Sequence, residues 1–352
     1  MVSYTRLAKD GLLLVDIPTS TPVELPLELV QISGCAMRRV SSTKFVVLGS
    51  GLTTPSALYM VDINTHSKKT LLKSSNHIQF PSSTYSIAQH LTFPRTQGQD
   101  PKGISHAIFF PPHNPSFSPL PGTRPPVIVS IHGGPTNQGN LGINLQTQYW
   151  TSRGYAYVYV NYGGSTGYGR EYRDELIDSW GVIDINDAAS CLYYLATAGL
   201  VDKSKAGIEG GSAGGYTVLN SLVQYPNLWA AGNSLFGISD LMGFEATTHK
   251  YESHYLFNLI PDNGPEEREK VLRERSPYYH VNKITSPLLL LQGSEDKVVP
   301  LQQAVDMERI MKEKGKDVKI TIFEGAGHGF GKAEHVKKTL EEEEALWKRT
   351  LL

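Results

Sequence analysis

Residues Gly210-Gly211-Ser212-Ala213-Gly214-Gly215 set a serine hydroxyl between small neighbours on both sides. The pattern is G-x-S-x-G: an apolar stretch, 206–210, runs into it, and a helical one, 213–225, follows. The spacing has a steric cause. A serine on a sharp strand-to-helix turn needs small side chains beside it so that the two elements can approach. The turn lifts the hydroxyl clear of the sheet, and the helix N-terminus behind it favours developing negative charge. The chemistry this allows is nucleophilic attack by Ser212 on an acyl carbon.

Such a hydroxyl needs a base, and the base needs an orienting carboxylate. After Ser212, two apolar stretches end in polar turns, LLLLQGSEDKVVP (288–300) and ITIFEGAGHGF (320–330). They supply Asp296 as the acid and His328 as the base, in the chain order Ser, Asp, His. Glu295 adjoins Asp296 and stays open as an alternative acid. Asp240 follows another strand-like run but lies nearer to Ser212 than the second member usually falls. His249, His254 and His280 do not end a strand in a glycine turn. Upstream, His132-Gly133-Gly134-Pro135 follows the apolar run 127–131. Its glycines leave backbone N–H groups open to a substrate carbonyl, so the expected oxyanion donors are the N–H of Ala213 and that of Gly134 or Gly133. His132 reads as a residue that fixes this loop by hydrogen bonds rather than as a second base.

These motifs need elements to hold them. From residue 126 onward, strand-like and helix-like stretches alternate, which is the pattern of a mostly parallel sheet with helices on both faces. Strands are expected at 126–131, 156–160, 206–210, 288–293 and 318–325, and helices at 184–199 and 302–316. Val336, Leu340, Trp347 and Leu351 form one stripe of a terminal helix, expected to pack on the sheet. The fold class is therefore α/β, an α/β-hydrolase fold, preceded by a small all-β region resembling part of a β-propeller. That region, 1–100, reads as short strands (12–17, 29–40, 44–50, 57–63) separated by turns. A proline-rich connector, 101–125, separates it from the catalytic domain, 126–352.

Composition narrows the function classes. The chain has 352 residues, 40% of them hydrophobic and 19% charged, with a net charge of −1. That suits an ordinary globular protein with a sizeable core, and no global field exists to attract nucleic acid or an anionic membrane. Cys35 and Cys191 have no metal-ligand neighbours at zinc spacing and read as thiols in a reducing compartment, so no metal is expected. No stretch approaches the about 20 apolar residues of a membrane helix, and no signal peptide is visible. The expected location is cytoplasmic.

The chain resembles the prolyl oligopeptidase family, in its acylaminoacyl peptidase and dipeptidyl peptidase branch. The shared pieces are HGGP (132–135), SRGYAYVYVNYGGSTGYGREYRDEL (152–176), WGVIDINDA (180–188), GGSAGGY (210–216), THKYESHY (248–255), RSPYYH (275–280), QGSEDKVVP (292–300) and EGAGHGF (324–330). The resemblance implies a catalytic α/β-hydrolase domain, peptidase activity without a cofactor, and the roles given above to Ser212, Asp296, His328 and the HGGP loop. Segment 161–172 is expected to line the substrate pocket with Tyr162 and Tyr168, although packing roles for both tyrosines stay open. Family members usually carry a full propeller ahead of the hydrolase domain, whereas about 100 residues here account for one or two blades. A shortened relative, a surface completed by another subunit, and a fragment are all consistent with that. Unpaired strand edges make a homo-oligomer a further expectation.

The leading function is thus hydrolysis of short peptides or N-acylated amino acids and peptides through an acyl-enzyme on Ser212. The alternative is an esterase, lactonase or cyclase using the same triad on a non-peptide acyl group. A non-catalytic interaction protein on a hydrolase scaffold is the reading that an intact Ser/Asp/His set disfavours.

Overall fold

The structure, a computed structural model, describes residues 1–73, 80–99, 101–247 and 256–352. Its first part is all β. Strands β1 (Val2–Arg6), β2 (Lys9–Asp16) and β3 (Thr21–Glu24) form one antiparallel sheet; β4 (Gln31–Arg39), β5 (Lys44–Ser50), β6 (Ala57–Asp62) and β7 (Ser67–Lys73) form a four-stranded meander. The period-2 pattern of strands is clearest in β6, where Ala57, Tyr59 and Val61 are buried and their neighbours half-exposed. These side chains share a core with Leu12, Leu25 and Val47.

The second part is built on an eight-stranded sheet. In chain order its elements are β8 (Gln89–Pro94), β9 (Ile104–Phe110), β10 (Val127–Ile131), α1 (Leu145–Thr151), β11 (Ala156–Asn161), α2 (Arg170–Asp174), α3 (Ile183–Thr197), β12 (Ala206–Gly211), α4 (Ala213–Gln224), β13 (Ala231–Leu235), α5 (Leu241–Thr247), α6 (Leu256–Leu259), α7 (Pro265–Glu274), β14 (Leu288–Gly293), α8 (Leu301–Glu313), β15 (Val318–Phe323) and α9 (Ala333–Leu351). The strand order is β15-β14-β13-β12-β10-β11-β9-β8. Strands β10 to β15 run parallel, and β9 joins β11 antiparallel with β8 outside it.

The mostly parallel sheet agrees with the fold class read from the sequence. The sheet, however, begins earlier. Segments 81–96 and 105–112 read as further strands in a transition after the β-rich stretch; they supply β8 and β9, which belong to the eight-stranded sheet. The reason is burial: β9 is buried from Ser105 to Phe110, on both faces, as an inner strand must be.

Helices cover both faces. Alternate residues of β10 point to opposite sides. Val129 joins Leu192 of α3, Leu219 of α4 and Met307 of α8 in one core, while Ile128 joins Trp150 of α1 and Trp347 of α9 in the other. The expected stripe on α9 holds only in part. Trp347 and Leu351 are buried, Leu340 is half-buried, and Val336 is 45% exposed. The C-terminal half of α9 thus makes the seal. Trp347 lies so close over Gly207 of β12 that a Cβ there would sit 2.5 Å from the indole ring.

Emptying this seat should be costly. Trp347→Ala is expected to lose about 3–5 kcal/mol of stability, read as a lowered midpoint in thermal and urea unfolding. A variant melting with the wild type would contradict the seal assigned to α9.

Candidate active site

Ser212 follows β12 and precedes α4, with φ 57° and ψ −124°. This left-handed conformation is strained for a serine and is held by its surroundings. The Ser212 N–H donates to the Leu235 carbonyl at 2.9 Å, tying the turn to the end of β13. Glycine is needed on either side. A Cβ at Gly210 would lie 2.7 Å from the Gly214 carbonyl oxygen and 2.8 Å from that of Ile131, and one at Gly214 would meet the Ile131 carbonyl directly. Ala213 opens α4, so its N–H has no carbonyl one turn back.

Asp296 follows β14 and is 7% exposed. Its Oδ1 accepts from the Val298 and Val299 N–H groups at 2.9 and 3.0 Å. Its Oδ2 accepts from Gln292 Nε2 at 3.1 Å and from His328 Nδ1 at 2.8 Å. Burial alone would raise its pKa; the bonds from His328 and the two backbone N–H groups prevail and hold it below the ordinary carboxylate value. His328 Nδ1 is therefore the donor to Asp296, and Nε2 is left with no hydrogen-bond partner among the described residues. No hydrogen bond joins that imidazole to Ser212 Oγ, a gap common in sites without substrate. The neighbouring carboxylates do not compete. Glu295 is exposed, and Asp240 accepts from the Met242 and Gly243 N–H groups at 3.1 and 3.2 Å.

Phe236, which sequence reasoning missed, links the two halves of the site. It follows β13 with φ 39°, and its ring stands 4.6 Å from the His328 ring. On its other side it presses on Gly211, where a Cβ would lie 2.9 Å from its Cε2. Its place at the carboxyl end of an inner strand was the available signal, since ligands bind at that edge of such sheets.

The loop after β10 lies against the elbow. A Cβ at Gly133 would come 2.8 Å from the Gly211 carbonyl oxygen and 3.3 Å from Ser212 Cβ, and Gly134 has φ 128°. His132 anchors this loop: Nδ1 bonds the Gly133 carbonyl at 3.0 Å and Nε2 bonds Ser165 Oγ at 2.8 Å. A carbonyl only accepts, so Nδ1 carries the proton, Nε2 accepts, and the Ser165 hydroxyl donates. Loss of solvent pushes the His132 pKa down to about 4, against an opposing pull from the Gly133 carbonyl, so the imidazole is neutral at neutral pH. Ser165 is fully buried and was not singled out by sequence reasoning, which expected segment 161–172 to line the pocket through its tyrosines.

The two tyrosines expected to line the pocket are otherwise employed. Tyr162 is fully buried, stacks on His132 at 4.4 Å and donates its hydroxyl to the Pro135 carbonyl at 2.7 Å. Tyr168 is half-buried, accepts from Asn161 Nδ2 at 2.8 Å and stacks on His106 at 4.2 Å. Tyr162 thus packs against the 132–135 loop, and Tyr168 packs against β9. Among the other histidines, His280 lies in the 3-10 segment Pro277–Lys283, while His249, His254 and the rest of 248–255 fall outside the described residues. No group of three His, Cys, Asp or Glu side chains suited to a metal occurs among the described residues. None of their helices is long and apolar enough to cross a membrane.

This geometry can be set beside known proteins. The model of the prolyl oligopeptidase family matches residues 142–352. Dipeptidyl aminopeptidase BIII of Pseudoxanthomonas mexicana is 30% identical over 60% of this chain and 31% of its own length. Acylamino-acid-releasing enzyme 1 of Oryza sativa subsp. japonica is 30% identical over 60% of this chain and 28% of its own. Among solved structures, a puromycin-hydrolyzing peptidase of Mycobacterium tuberculosis superposes with a TM-score of 0.91 at 35% identity, covering 98% of this chain and 51% of that one. The acylaminoacyl peptidase of Pyrococcus horikoshii superposes with a TM-score of 0.84 at 25% identity, over 99% and 53%. The chain thus spans under a third of these curated relatives and about half of these solved ones. A match over most of the chain, carried on an α/β-hydrolase sheet with an all-β part ahead of it, places this protein in the prolyl oligopeptidase family.

Proposed function

We propose that this chain hydrolyses short peptides or N-acylated amino acids and peptides through an acyl-enzyme on Ser212. The observation that carries this reading is the 2.8 Å bond from His328 Nδ1 to Asp296, which leaves Nε2 without a partner among the described residues, one aromatic ring away from the Ser212 turn. In the proposed sequence Ser212 Oγ attacks the scissile carbonyl while His328 Nε2 takes its proton. Asp296, acceptor-only and held ionised, stabilises the imidazolium. The N–H groups of Ala213 and Gly134, with Gly133 as an alternative, receive the oxyanion. His328 returns the proton to the leaving amine, and water then releases the acyl group by the reverse proton path. Each oxyanion donor is worth about 3 kcal/mol in the transition state. The names of the relatives, acylamino-acid-releasing enzyme and dipeptidyl aminopeptidase, support the substrate class.

Labelling by a fluorophosphonate probe and turnover of acyl-alanine and dipeptide anilides are the direct tests. Ser212→Ala should abolish labelling, and Ser212→Ala and His328→Ala should each cut kcat by roughly 10⁴-fold or more with the fold intact. Turnover of nitrophenyl esters with none of anilides would replace the peptidase reading by the esterase one.

Ser165 is expected to act through His132. Ser165→Ala leaves Nε2 of His132 without a donor and frees the loop that carries Gly134. In steady-state kinetics kcat should fall by about tenfold to a hundredfold with KM nearly unchanged, because the loop is needed most in the transition state. Ser165→Thr, which keeps the hydroxyl, should recover most of the loss. Full kcat in the alanine variant would remove Ser165 from the oxyanion loop's support.

The same imidazole gives a pH effect on stability. Its pKa is about 4 in the fold against an ordinary 6.5, so the unfolded chain takes up its proton first. The stability it contributes is complete above about 6.5 and is lost as pH falls from there toward about 4. Melting temperatures measured across that range should fall less steeply in His132→Asn than in the wild type; parallel curves would refute the assignment.

A further inference from the structure

A cavity of about 380 Å³ opens between α1 and α9, beside the catalytic centre and on the face away from α4. Its walls include Leu145 and Tyr149 from α1, Leu235 and Phe236 from the end of β13, Phe330 from the His328 loop, and Leu340 from α9. Among the described residues no charged side chain lines it. Two walls belong to the site's immediate frame. The Leu235 carbonyl accepts from the Ser212 N–H, and the Phe236 ring packs 4.6 Å from His328 and 5.3 Å from Phe330.

The direction of acyl transfer says what such a cavity would hold. The leaving nitrogen must come within about 3 Å of His328 Nε2 to receive its proton. The side chain of the leaving residue branches one carbon further on, so it falls among the neighbours of the imidazole, and Phe236 and Phe330 are those neighbours. The cavity is roomy enough for a leucine or phenylalanine side chain. A carboxylate or ammonium would lose its solvent there with no partner to replace it. We propose that this cavity is the subsite for the leaving residue and selects an apolar side chain, aromatic or branched aliphatic, on the amine side of the scissile bond. The proposal rests on the acyl-transfer reading of Ser212 and His328.

The test is a series sharing one acyl group, N-acetyl-alanine, joined as an amide to glycinamide, leucinamide, phenylalaninamide or aspartamide, and as an ester to methanol or 2-phenylethanol. All members give the same acyl-enzyme, so differences in kcat/KM arise before deacylation and report the leaving side. Leucine, phenylalanine and phenylethyl groups should be released with kcat/KM about tenfold above glycine, aspartate and methyl. Val336→Trp, which fills the cavity from α9, and Leu145→Trp, which fills it from α1, should each abolish that preference. Fluorophosphonate labelling and glycinamide turnover should stay at the wild-type level. Equal kcat/KM across the series, or a preference that survives both tryptophans with labelling intact, would overturn the proposal. If amides are inert and esters turn over, the peptidase reading fails, while the ester pair still decides whether the cavity sorts leaving groups.

Discussion

The close approach of three backbone segments at the Ser212 turn is the constraint on which the site depends. The end of β10, the end of β12 and the start of α4 meet there with no room for a Cβ at Gly210 or Gly214. The same crowding brings Gly133 against the Gly211 carbonyl, so the nucleophile turn and the glycine loop are set by one packing contact. A left-handed serine is unfavourable by itself. It persists because the Ser212 N–H is taken by Leu235 and because α4 is anchored along its whole length, from Ala213 to Val223, in the core.

Polar tethers carry this rigidity outward. Asp187 of α3 accepts from Arg95 Nε at 2.8 Å and from the Gly163 N–H at 2.8 Å, and Arg95 reaches Glu175 at 2.6 Å. One buried guanidinium thus joins the segment just past β8 to α3, to the end of α2 and to the loop bearing Ser165. Such a pair adds little net stability against an apolar substitute, but removal of one partner strands the other charge. The all-β part engages the same loop: the Leu7 N–H, at the tip of the β1–β2 turn, donates to the Gly167 carbonyl at 3.0 Å. The three-stranded sheet is therefore connected to the segment that carries Ser165, the partner of His132.

Much of this architecture was legible in the sequence because it rests on local rules. Strands such as 44–50 and 288–293 declare themselves by short apolar runs that close at or next to a glycine, and the structure bounds both at the same residues. Helix α3 follows from three- and four-residue spacing. Other elements were hidden. The fully exposed β3 carries no hydrophobic alternation to read, and α1 has no apolar stripe, its start being marked by an Asn144 cap that accepts from the Gln146 and Thr147 N–H groups. The membership of β8 and β9 in the large sheet depends on pairing with β11, which is non-local and leaves no trace in either segment's own pattern.

The sequence by itself determined which serine sits in a glycine-flanked turn and which aspartate and histidine follow later strands, because strand ends and tight turns are written in neighbouring residues. Tertiary structure alone decided what surrounds them. It seated Tyr162 against His132 and the Pro135 carbonyl, turned the Asp296 carboxylate inward to His328 while leaving Glu295 exposed, and set Phe236 between Gly211 and His328. It also buried Glu209 and Glu343 close enough to repel each other on the α9 face, where burial raises both and Glu209 reaches about 7. These outcomes depend on which side chains meet after the sheet is assembled, and segments far apart in the chain carry no local signal of the neighbour that folding brings to them.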